Sequence, residues 1–162
     1  MNDNNIIELY TDGACRGNPG IGAYAYYIVY KNNDNIILET NGSKSYLDTT
    51  NNRMELLAVI NGIEKINEIN KNVLNINIYT DSQYVVNAFN QHWIDAWIKN
   101  DFRRNKKDEV KNIDLWEKLI SLLKDFTYTF IWVKGHAGHK YNEICDKLCN
   151  LEMDKIINEK MD

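Results

Sequence analysis

Two aspartates stand in near-identical settings far apart in the chain, in "ELYTDGA" (Glu8 to Ala14) and in "NIYTDSQ" (Asn77 to Gln83). In each, an alternating apolar and polar run closes with Tyr-Thr-Asp, so Asp12 and Asp81 share the parity of the Tyr two residues earlier. If the two runs are neighbouring parallel strands, both carboxylates emerge on one face at the carboxyl ends, roughly 5 Å apart or a little more. Ligand sites in open α/β sheets gather at that end. Bare carboxylates so close repel each other, so the pair needs a cation or a raised pKa. Hard divalent ions such as Mg2+ take oxygen ligands of this kind. Glu55, in the first turn of the helix after "TNNRM", and Asp146, early in the terminal helix, are further candidates. Acids drawn from separate elements suit a two-metal phosphodiester site, one ion activating water and the other stabilising the leaving oxygen. An Asp after a Thr at a strand end also simply starts a turn, and for either aspartate alone both readings stand.

The segment "KGHAGHKYNE" adds His136 between Gly135 and Gly138. Glycines let a loop move, and imidazole carries protons near neutral pH, so His136 could assist water or the leaving oxygen. Alone, it reads rather as an ordinary surface-loop histidine. His136, His139, Cys145 and Cys149 also form a set of the type that binds zinc tetrahedrally. The spacing suits that poorly, and reduced thiols are the better reading. His92, in "NQHWID", is left as surface.

Residues 6–12 alternate as a strand that ends at Asp12, and "GACRGNPGIG" then reads as a turn-rich loop. "AYAYYIVY" and "IILETNGSKS" are the next two strands of an antiparallel meander. In "TTNNRMELLAVINGIEKINEI" the period becomes helical, with Thr and Asn ahead of it as cap candidates. "VLNINIYTD" is a strand. "SQYVVNAFNQHWIDAWIKN" is helical with a break near Asn90 or Gln91, and "DFRRNKKDEVKN" is a charged connector. "IDLWEKLISLLKDF" is an amphipathic helix, "TYTFIWV" a strand, and the chain closes with a helix. The order β-β-β-α-β-α-α-β-α implies an α/β fold, a mixed sheet with helices on both faces.

At 162 residues the chain suits one domain with a real core. No apolar run would cross a bilayer and no targeting segment is evident, so the expected location is cytoplasmic. Three cysteines cannot all pair within the chain, which fits a reducing compartment. The net charge of −4 argues mildly against a nucleic-acid binder, although it can hide a local basic patch.

Taken in order, "YTDGACRGNPG", "TTNNRMEL", "YTDSQYV", "VKNIDLW" and "WVKGHAGHKYNEICD" resemble type 1 ribonuclease H, and they span nearly the whole chain. The resemblance implies a ribonuclease H-like fold with a mixed five-stranded sheet, in which the strands of Asp12 and Asp81 are adjacent and parallel. It implies an endonuclease that hydrolyses the RNA strand of RNA–DNA hybrids, leaving 5′-phosphate and 3′-hydroxyl ends. Two Mg2+ ions, with Mn2+ as a substitute, would be held by Asp12, Glu55, Asp81 and Asp146, with His136 auxiliary. The protein would be a monomer with the hybrid as its partner and no separate hybrid-binding domain.

By the same resemblance Cys15, Gly17, Asn18, Asn51, Asn52 and Gln83 line the minor groove, where 2′-hydroxyls distinguish RNA from DNA. Asparagines there also serve as turn formers or caps. Trp93 and Trp97, one helical turn apart, precede Lys99, Arg103, Arg104, Lys106, Lys107 and Lys111. On spacing alone a Trp pair packs into a core and a charge run is a solvated face. The resemblance makes them a protrusion that grips the DNA strand. Asp95, Asp101, Asp108 and Glu109 dilute it. Thr50 and Asn112 match the family's pocket for a DNA phosphate, but Asp48 stands where an arginine often assists.

Overall fold

The computed structural model describes residues 5–69, 75–102, 110–134 and 139–161. Strands β1 (Asn5–Arg16), β2 (Gly20–Asn32) and β3 (Asn35–Thr49) form the expected antiparallel meander. Helix α1 (Asn51–Ile69) crosses to β4 (Asn75–Thr80), which pairs with β1 in parallel. Helices α2 (Gln83–Asn90), α3 (Trp93–Lys99) and α4 (Ile113–Leu123) lead to β5 (Thr127–Trp132), parallel to β4, and α5 (Lys140–Met161) closes the chain. The sheet has five strands in the order β3-β2-β1-β4-β5.

Alternation along β1 sends side chains into two separate cores. Ile7 and Leu9 pack with Leu56, Val59, Ile60 and Ile63 of α1, and Trp116 and Leu119 of α4 extend that layer. Tyr10, on the opposite face, packs with Ala23, Ala25, Cys145 and Cys149 under α5. Burial of each large aliphatic side chain contributes about 1.5–3 kcal/mol, enough to fix which way every strand faces.

One boundary differs from the sequence expectation. β1 runs on past Asp12 to Arg16 because β2 offers a partner along its other edge, with Ala14 opposite Ala23 and Arg16 opposite Ile21. The turn narrows to Gly17–Pro19, where Gly17 takes a φ of +82° that favours glycine. Asp12 therefore lies inside its strand, while Asp81 directly follows β4. The helical stretch after Asp81 divides into α2 and α3 at Gln91 and His92, whose φ is +61°. The break expected near Asn90 or Gln91 is thus borne out, and five helices are present among the described residues. His92 is exposed, with Nδ1 3.2 Å from the Asp95 carboxylate.

The helix starts follow local chemistry. Thr50 caps α1, its Oγ1 accepting from the Arg53 N–H at 3.3 Å. Ser82 caps α2 through Val85 N–H, also at 3.3 Å. β1 and α1 touch so closely at Gly13 that a Cβ there would lie 2.5 Å from the Glu55 nitrogen. Gly13→Ala is expected to force the helix off the strand and cost about 1–3 kcal/mol, read as a fall in melting temperature.

Candidate active site

The repeated Tyr-Thr-Asp starts in register across the parallel pair: Tyr10 lies opposite Tyr79, and Asp12 and Asp81 each follow two residues on. Both threonines are fully buried. The Thr11 hydroxyl donates to the Tyr79 carbonyl at 3.4 Å, and Thr80 Oγ1 accepts the Ser82 N–H at 3.1 Å. These contacts tie the two strand ends together and turn the chain out of the sheet at Asp81. Beyond that point β1 continues without β4 beside it, which leaves a cleft of about 550 Å³.

Asp12, Glu55 and Asp81 each present an oxygen to this cleft, and the three lie within 4.8 Å of one another. Glu55 is only 4% exposed, and its Oε2 is buried with no hydrogen-bond partner. Burial, with the charges of Asp12 and Asp81, pushes its pKa well above the usual carboxylate range. Hydrogen bonds from the Gly13 N–H and the Thr80 hydroxyl pull the other way. Asp12 is pushed up to about 8 by burial first and then by Asp81 and Asp146, although the Gly13 N–H donates to its Oδ1 at 2.9 Å. Asp146, from the second turn of α5, lines the same cleft but stands outside the tight group of three.

Clustered hard oxygens, one of them stranded without a donor, fit a divalent cation better than any side chain present. The zinc alternative does not survive. Cys145 and Cys149 are buried against the sheet, with their thiols directed at the carbonyls of Tyr10, Asp12 and Ala23. Burial raises both thiol pKa values. His139 lines the acidic cleft instead, and His136 lies outside the described residues.

Of the other candidates, Asn51, Asn52 and Gln83 line the cleft. Cys15, Gly17 and Asn18 belong to the β1–β2 hairpin end, and Asn18 Oδ1 accepts the Asn51 N–H at 3.0 Å, joining that turn to α1. Thr50 and Asn112 lead α1 and α4, and Arg53 reaches between these helices: its Nη1 donates to Asn112 at 3.2 Å, and it pairs bidentately with Asp114. Asp48 is exposed. Trp97 is half-buried against Trp116, ring centroids 5.1 Å apart, whereas Trp93 is exposed. The structure thus divides the pair between core and surface. Lys99 and Lys111 are exposed, and Arg103, Arg104, Lys106 and Lys107 lie outside the described residues.

The sequence reading passed over Thr80, Gly13, Tyr84 and Asn142. Asn142 lines the cleft with a buried, unpartnered Oδ1, and Tyr84 lines its wall. The threonine was visible in the repeat. Nothing in spacing marks the asparagine.

A family model for RNase H matches residues 4–153 of the chain. The "Ribonuclease H" of Desulforamulus reducens is 50% identical over 142 residues, covering 88% of this chain and 84% of that protein. Among solved structures, LC9-RNase H1, described as a type 1 RNase H with the type 2 active-site motif, superposes with a TM-score of 0.81 at 26% identity. It covers 93% of this chain and 73% of that one. LC11-RNase H1, solved in complex with an RNA/DNA hybrid, shares the fold, with a TM-score of 0.68 at 22% identity over 93% of this chain and 99% of that one.

The pKa directions fix a sign for the metal-free protein. Carboxyls whose pKa is raised in the folded state bind more protons folded than unfolded, so the stability they contribute is fully present below the unfolded value near 4. It is lost as pH climbs toward the folded value of about 8 for Asp12. Melting temperature in chelator is expected to fall between pH 5 and pH 8. Asp12→Asn should flatten that slope and melt higher than the parent at pH 8.

Proposed function

The chain belongs to the ribonuclease H family, and from that premise we propose that it hydrolyses the RNA strand of RNA–DNA hybrids by a two-cation mechanism. The observation that carries the reading is the stranded Oε2 of Glu55 within the Asp12–Glu55–Asp81 group. Asp12, Glu55, Asp81 and Asp146 hold the ions, Mg2+ or in its place Mn2+. Bound there, two divalent cations supply activation of water and charge stabilisation at the leaving oxygen, giving 5′-phosphate and 3′-hydroxyl ends.

The chain's own residues do the rest. Gly13 lets Glu55 approach β1, and the buried threonines hold Asp12 and Asp81 at one level. Asn51, Asn52 and Gln83 on the cleft wall, with Cys15, Gly17 and Asn18 at the hairpin end, face the minor groove of the hybrid. Short polar groups of this kind suit contacts to 2′-hydroxyls. Thr50 and Asn112 take a phosphate of the DNA strand, and Trp93 and Trp97 support that strand's sugar–phosphate backbone. His136 transfers protons, a role assigned on the sequence alone. No described helix is long and apolar enough to cross a membrane.

Labelled RNA–DNA hybrid, duplex RNA and duplex DNA should be compared as substrates with Mg2+ and with chelator. Cleavage is expected for the hybrid alone, only with the ion, and only in the RNA strand. Asp12→Asn and Asp81→Asn are each expected to abolish cleavage while keeping a cooperative melt. Full activity in either would refute the site.

Because phosphate contacts release counterions, hybrid affinity should fall steeply with salt. The acidic balance of −4 makes that affinity modest at the outset. Titrating hybrid binding against KCl checks both points, and a salt-independent constant would contradict them.

A further inference from the structure

We propose that the Tyr84 hydroxyl donates to the same DNA-strand phosphate as Thr50 and Asn112, so that the subsite rests on a neutral phenol. The inference rests on the hybrid-cleaving reading above and goes beyond it by adding a recognition residue.

It follows from groups that can only donate. A guanidinium has no acceptor, so the Asn112 atom that faces Arg53 Nη1 at 3.2 Å is Oδ1. That turns Asn112 Nδ2 toward the Tyr84 hydroxyl, 3.2 Å away. The Trp116 indole N–H, also a donor only, meets the same oxygen at 3.0 Å. The Tyr84 oxygen therefore accepts twice, and its own O–H points elsewhere. Among the described residues no hydrogen bond runs from it. Asn112 keeps a second N–H on Nδ2. Thr50 Oγ1 accepts from Arg53 N, so its proton is free to turn outward as well.

The O–H of Tyr84, the second N–H of Asn112 and the O–H of Thr50 are left to donate, which suits an acceptor-only ligand. A phosphate oxygen is one, whereas a 2′-hydroxyl brings a proton of its own. Tyr84 lines the cleft, and Arg53 reaches from α1 to Asn112 at the head of α4, which brings these groups together. Arg53 itself is largely spent on Asp114, at 3.1 and 2.8 Å. With Asp48 where an arginine often stands in the family, a neutral donor supplies what a cation does not.

Tyr84→Phe removes the hydroxyl and keeps the ring against Trp116, 5.4 Å between centroids. Steady-state cleavage is measured on plain hybrid and on hybrids carrying one methylphosphonate at successive DNA-strand positions, each removing one phosphate charge. With the parent enzyme, one position is expected to raise KM roughly 5–10-fold. Tyr84→Phe should raise KM on plain hybrid by about 3–10-fold with kcat within about twofold, and should shrink the penalty at that position alone. Purely structural damage would lower kcat or raise KM without regard to position, and identical penalties in both proteins overturn the proposal. Should the variant fail to fold, a structure of Asp12→Asn bound to hybrid decides. A phosphate oxygen within about 3.2 Å of the Tyr84 oxygen supports the proposal, and its absence overturns it. No cleavage by the parent enzyme would instead overturn the functional reading and this proposal with it.

Discussion

Mutual repulsion among carboxylates is the constraint around which the cleft is organised. Asp12, Glu55 and Asp81 would separate if their backbones allowed it, and each is prevented by something rigid. Asp12 is inside a strand paired on one side with β2 and, up to Tyr10, on the other with β4. Asp81 follows a threonine that is buried and bonded to the next turn. Glu55 sits on a helix pressed so tightly against Gly13 that no side chain fits between them. The folded protein thus stores electrostatic cost in the metal-free state, which a cation can relieve.

The same scaffold divides its work between charge types. The acids gather where β4 ends, and the donors of Thr50, Tyr84 and Asn112 gather at the heads of α1, α2 and α4. Arg53 connects these helices without spending its charge on the cleft, because Asp114 takes it. An acidic centre beside a wall of neutral donors can hold a polyanion only when cations stand between the acids and the phosphates. Metal binding and substrate binding are therefore expected to be coupled through charge alone, with no conformational change needed.

How far the site was legible in the sequence depended on whether a signal was local. The Tyr-Thr-Asp repeat gave the two aspartates the same parity, because alternation can be read, while the parallel pairing of their strands, present in β1 and β4, came from the resemblance. The caps at Thr50 and the break before Trp93 were readable for the same reason. The extension of β1 to Arg16 was not, since glycine and alanine in "GACR" carry a turn's composition and become strand only because β2 lies alongside. Arg53, Asn112, Tyr84 and Trp116 come from well-separated stretches, and no periodicity predicts that four side chains will share hydrogen bonds. The tryptophan pair shows a partial success: one turn of helix separates the two, and the fold buries one while exposing the other.

Asp146 depends on a different support from the other three acids. It rides on α5, which meets the sheet through the second core rather than the first. At the start of that helix Tyr141 lies against both Tyr10 and Tyr27, with ring centroids 4.8 Å away in each case, and its hydroxyl donates to Glu39 at 3.1 Å. One turn further, Cys145 and Cys149 pack flat on β1 and β2. Tyr10 thus touches both systems: its ring stacks on Tyr79 at 4.7 Å, in the strand that leads to Asp81, and lies tilted against Tyr141 ahead of Asp146. Aromatic packing of this sort contributes about 0.5–1.5 kcal/mol per pair beyond burial. The fourth carboxylate is consequently held through α5 and the second core, apart from the three that lie on or against β1 and β4. A divalent ion shared between these groups would be held by Asp146 from α5 and by Asp12, Glu55 and Asp81 from β1, α1 and the end of β4.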